Sequence, residues 1–124
     1  MRLDFVFIMH ALSSLIFALL LFFVPSELSD WLTGHSLTPA ERIFPRLYAG
    51  CLVLIAHATF RATLAYSYYA RHLVLWVMLV QQLLGMAICF TFYPFTFAFW
   101  FSFLFFLIFA VGYLIVLWFY PGDI

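Results

Sequence analysis

Polar and apolar positions in this chain come in blocks; they do not alternate along one helix face. A helix rises 1.5 Å per residue, so about 20 apolar residues cross the hydrocarbon of a bilayer. Four blocks reach that length: Phe5 to Val24, about Phe44 to Tyr66, Leu73 to Phe92, and Phe95 to Tyr120. They predict an all-α polytopic membrane protein, an antiparallel bundle of four transmembrane helices. Residues 1–124 read as a single transmembrane domain with both termini on one side. The first block is too long for a signal-peptide core and lacks a small-residue cleavage site after it, so it reads as a true span.

The fourth block carries a misleading signal. Phe95, Phe97, Phe99, Phe101, Phe103 and Phe105 occupy alternate positions, which is the period of a strand. A membrane barrel needs at least about eight such segments, and this chain offers one. Helix is the prediction, with phenylalanine distributed around its whole circumference.

The connections set the arrangement. Ser67 to Arg71 join the second and third spans, and little more than Tyr93-Pro94 joins the third and fourth. Links this short make neighbours antiparallel. Only Pro25 to Ile43 has room for structure outside the hydrocarbon. Ser26 to Leu32 read as a short interfacial helix ended by Gly34. Thr38-Pro39-Ala40-Glu41 has the form of a capping box, which predicts that the second span starts at Pro39. Pro45 then stands where a kink is expected.

Composition agrees with the blocks. The chain is 69% hydrophobic and 8% charged, against about 25% charged in a soluble domain. The net charge is zero, with no basic surplus for nucleic acid. No lysine is present, which removes Schiff-base and amine-nucleophile chemistry. The serines have no acid–base set beside them, no four Cys or His residues stand at metal spacing, and the chain reads as non-catalytic. Cys51 and Cys89 are single thiols, read either as small apolar packers or as a disulfide on an oxidising side.

The spans contain no Asp or Glu, which argues against carboxylate-coupled transport. Their polar side chains include His10, Ser13, Ser14, His57, Arg61, Gln81 and Gln82. At 100° per residue, Arg46, Gly50, Val53, His57 and Arg61 form one stripe on the second span. Charge in hydrocarbon is costly, so the stripe is expected to face the bundle interior or a partner; snorkelling arginines with a structural His57 are the alternative. Counted along the helices, His57 and Gln82 lie at similar depth and are expected to bond across the bundle. Arg61 has Asp4 and Asp123 as candidate counter-charges. His10, His57, His72 and Arg61 all fall in the leaflet nearest the termini, a set compatible with haem, a pigment or a quinone.

Leu37 to Gly50, with a capped loop followed by Arg46-Leu47-Tyr48-Ala49-Gly50 opening an apolar helix, resembles small four-helix bacterial membrane proteins of the DoxX-like kind. The resemblance covers about half of the chain. It implies a bacterial inner-membrane protein, and in some members partnership with quinone-linked redox enzymes. It assigns no functional residue here. Arg2, Arg61 and Arg71 against Arg42 and Arg46 lean toward cytoplasmic termini. Three roles follow as expectations. The first is a non-catalytic accessory subunit of a larger membrane complex, with respiratory and photosynthetic assemblies as the commonest hosts. The second is a redox-associated protein binding haem, pigment or quinone, and the third is a small dimeric transporter.

Overall fold

The computed structural model describes residues 2–91, 97–119 and 122. Its helices are α1 (Arg2–Phe23), α2 (Pro25–Thr33), α3 (Ile43–Thr63), α4 (Tyr68–Cys89) and α5 (Phe97–Phe119). All but α2 are long and apolar enough to span a membrane. The chain is thus a helical integral membrane protein in contact with the bilayer. The alternating phenylalanines from Phe97 onward lie in α5. Intra-helical bonding satisfies the backbone groups in the interior of such a helix, which a lone strand in lipid cannot do. The Tyr93-Pro94 link, Phe95 and Asp123 lie outside the described residues.

Boundaries shift where local chemistry outweighs hydropathy. The α4 helix starts at Tyr68, five residues before its apolar block, because the hydroxyl of Ser67 caps it by accepting from the Ala70 N–H at 3.4 Å. The Thr38–Glu41 box forms as expected, with Glu41 N–H donating to Thr38 Oγ1 at 3.3 Å and Thr38 N–H to Glu41 Oε2 at 3.4 Å. It closes a turn, however, and α3 begins only at Ile43. Pro45 therefore falls in the first turn of α3, where its missing N–H has no carbonyl to meet, and the expected reason for a kink is absent. The interfacial helix α2 is as read, closed by Gly34 at φ 77°, with its N–H donating to Asp30 C=O at 2.9 Å. Trp31 brings α2 against α5, its ring 5.4 Å from that of Phe97 and 5.8 Å from that of Phe101.

The bundle is two helix pairs, α1 on α3 and α4 on α5. Small residues let the first pair approach closely: Ala18 and Ala49 meet in a cluster with Leu52. The two pairs merge at the terminus end, where Leu3, Phe7, Ala62, Leu75, Met78, Phe109, Tyr113 and Val116 form one core. Among the described residues, the cluster at the loop end joins α1 and α3 alone, and a cavity lies between the pairs there. Close packing in one half and a void in the other position the site.

Candidate functional site

His10 is the centre of a buried polar network. Its Nδ1 lies 2.7 Å from the Tyr113 hydroxyl, and its Nε2 lies 3.1 Å from Gln82 Nε2. Three helices, α1, α4 and α5, thus meet at one imidazole. All three side chains are at most 2% exposed. A carboxamide nitrogen can only donate, so His10 Nε2 accepts and the ring proton sits on Nδ1, directed at Tyr113 Oη. The ring stacks on Phe109 at 4.5 Å and meets Tyr113 edge-on at 5.7 Å. Gln82 Nε2 also donates to Gln81 Oε1. The network therefore runs from Tyr113 through His10 and Gln82 to Gln81.

Gln81 is the link between this network and the cavity. The cavity has a volume of about 760 Å³, and Gln81 lies in its wall. Ligand pockets commonly hold about 300–1,000 Å³ and set a few polar groups among apolar walls. Here the other lining residues that carry hydroxyls are Tyr48 and Ser102, amid Phe17, Leu52, Val77, Leu84, Phe101, Phe105 and Phe106. Among the described residues, the Nε2 of Gln81 and the hydroxyls of Tyr48 and Ser102 have no hydrogen-bond partner. Along α4 the wall runs from Val77, twelve residues or about 18 Å before the loop-side end at Cys89, with Gln81 about 12 Å from that end. Gly85 shapes its wall: a Cβ there would stand 2.6 Å from Phe106 Cε1, so only glycine lets that ring lie flat on α4.

The expected stripe on α3 does not turn inward. Arg46, Gly50, Val53, His57 and Arg61 are all exposed on the bundle surface. The inward face of α3 is instead Ala49, Leu52, Ala56, Thr59 and Ala62. Small residues bury more apolar contact at a close helix crossing than the longer polar ones would, and this decides the rotation of α3. His57 has no hydrogen-bond partner among the described residues, and the bond expected between His57 and Gln82 is replaced by that of His10 with Gln82. Arg61 does not pair with Asp4. That carboxylate takes Arg71 Nη2 at 2.8 Å, and Arg71 Nη1 also donates to Ala62 C=O at 3.3 Å. His72 accepts from Trp76 Nε1 at 2.9 Å and stacks on Tyr68 at 5.2 Å.

These positions do not fit a haem held by two histidines. Both ring nitrogens of His10 are engaged, and His57 faces outward. His72 is ten residues from Gln82, about 15 Å along α4. Among the described residues, no three His, Cys, Asp or Glu side chains converge as metal ligands. Cys51 is exposed and Cys89 buried, both as free thiols. Tyr113 and Arg71, which organise the buried contacts, are not legible as site residues; the signal for Tyr113 is a hydroxyl in a span whose other described polar side chain is Ser102. Comparison with protein-family models, curated proteins and solved structures returns no match to this chain.

Proposed function

We propose that the chain is a non-catalytic membrane subunit that holds a quinone-like amphiphile in the cavity between its helix pairs. The observation that carries this reading is Gln81, a donor with unused N–H groups set in an apolar wall and braced from behind by Gln82 and His10. A carbonyl oxygen on a flat apolar headgroup matches that donor, and an isoprenoid or alkyl tail matches the aromatic walls. The likeness of residues 37–50 to DoxX-like proteins supports the same class. The ligand sits in the loop-side leaflet, opposite to the terminus-side position expected from His10, His57 and His72. The setting in this proposal is a bacterial inner membrane with cytoplasmic termini. The test is titration of the purified protein with a decyl-tailed benzoquinone, read by quenching of tryptophan fluorescence. One saturable site per chain is expected, weakened about tenfold in Gln81→Leu by loss of one hydrogen bond. No saturable binding, or equal binding of decylbenzene, overturns the reading.

A second observation favours association with another membrane subunit. His57 is exposed on the terminus-side half of α3, six residues or about 9 Å from its end, where a polar group turned to lipid is costly, and Arg61 is exposed in the last turn. A neighbouring transmembrane helix offering acceptors at those depths would satisfy both. A second copy would set Arg61 beside Arg61, which favours a different chain. Native electrophoresis in mild detergent from the source membrane tests this. A stoichiometric partner lost in His57→Leu is expected, and migration of the wild type as a free monomer or homodimer overturns it.

A further inference from the structure

A second, separate hollow lies at the loop-side ends of α1 and α3. Pro25 interrupts the helical ladder between α1 and α2, and one arginine is bonded on each side of the break. Arg46 Nε donates to Phe22 C=O at 3.3 Å, and Arg42 Nε donates to Ser26 Oγ at 3.0 Å. The acceptors straddle Pro25, so both guanidinium groups are fastened at the same junction by one nitrogen each. Their Nη groups have no hydrogen-bond partner among the described residues and neither arginine has an ion pair there, while the Arg46 guanidinium lies over the Phe22 ring with Cζ 5.8 Å from its centroid. Glu41, the acid beside Arg42, uses its carboxylate on the Thr38 N–H instead.

Below Arg46 runs a cleft of about 320 Å³, walled by Ala18, Phe22, Ala49, Gly50 and Leu54 among others. From Arg46 to Leu54 it follows α3 for about 12 Å into the hydrocarbon. Small residues hollow it out, and a Cβ at Gly50 would meet nothing within 4 Å. Its loop-side end is at Arg46 in the first turn of α3 and at Phe23, the last residue of α1. A phosphate is the anion that two guanidinium forks grip best, and a narrow apolar cleft beneath it takes one acyl chain.

We infer that this cleft holds one anionic phospholipid, its phosphate on Arg42 and Arg46 and one acyl chain along Gly50 and Leu54. The site is independent of the quinone cavity, with which it shares no lining residue. It ties the α1–α2 junction to α3 through a lipid, and so to the position of α2 over the bundle.

Native mass spectrometry from nanodiscs containing equal phosphatidylglycerol and phosphatidylcholine of the same chain length tests it. One phosphatidylglycerol per chain is expected to be retained, with roughly tenfold preference over phosphatidylcholine. Arg42→Gln with Arg46→Gln is expected to abolish the preference. Gly50→Leu, whose Cβ would meet nothing within 4 Å, is expected to fold and to lose retained phosphatidylglycerol as the rest of its side chain fills the cleft. It carries the test alone if the double variant does not fold. Equal retention of the two lipids by the wild type, or undiminished phosphatidylglycerol in the variants, overturns the inference. So does protection against unfolding by inorganic phosphate alone that equals protection by the lipid.

Discussion

His10 and Tyr113 are 103 residues apart in the chain and 2.7 Å apart in the bundle. Their bond joins the first spanning helix to the last, with Gln82 joining both to α4 from the other side of the ring. A hydrogen bond between membrane helices is worth about 0.6 kcal/mol on average, reaching about 1.7. Full burial puts this one at the upper end. Tyr113→Phe is expected to lower stability by about 1–2 kcal/mol, because it removes the acceptor facing His10 Nδ1–H. Paired with His10→Phe in a double-mutant cycle read by unfolding in sodium dodecyl sulfate, the effects should be clearly less than additive. Additive effects would mean that the contact contributes nothing.

Among the described residues, Asp4 pairs with Arg71 and not with Arg61. The Arg71 side chain is 11% exposed and that of Asp4 35%. Arg71→Leu removes both the ion pair and a charged donor to Ala62 C=O, an expected loss of about 1.5–3 kcal/mol. Arg61→Leu, on the outer face of α3, should leave the unfolding midpoint of the isolated chain within about 0.5 kcal/mol of wild type. Equal destabilisation by the two substitutions would contradict this division of roles.

Gly85 sets the room in the cavity. With Phe106 Cε1 at 2.6 Å from a Cβ, Gly85→Ala must push the ring away from α4. Phe106 lies in the cavity wall and has space to swing inward, so the variant should fold at a cost of about 1–3 kcal/mol. Its affinity for the decyl benzoquinone should fall at least as much as in Gln81→Leu. Undiminished binding would show that the ligand does not reach this part of the wall.

Gly34 closes α2 at φ 77°, in the left-handed region that a side chain disfavours. Gly34→Ala should cost about 1 kcal/mol. The loss is local: α2 loosens, and Trp31 leaves the rings of Phe97 and Phe101. A red shift of the Trp31 emission, measured with Trp76, Trp100 and Trp118 replaced by Phe, checks this; an unchanged spectrum contradicts it.

The sequence by itself determined the membrane class, the four spans, the interfacial helix and its glycine stop. Each depends on local quantities: the length of an apolar block against the thickness of the hydrocarbon, or the conformation one residue can adopt. The same local logic recognised Gln82 as interhelical glue. It did not identify the partner. A stripe on α3 is visible as a 100° repeat, but whether it faces in or out depends on what the neighbouring helices offer. Ala18 packed against Ala49 rotated α3 so that its small residues face inward and Arg46, His57 and Arg61 face outward. With α3 turned that way, Gln82 reaches across the bundle to His10, and Tyr113 completes the contact from a helix whose reading is dominated by its apolar side chains. The cavity has the same origin. It exists because two helix pairs merge at one end and part at the other, a property of four packed helices that no single stretch of residues contains.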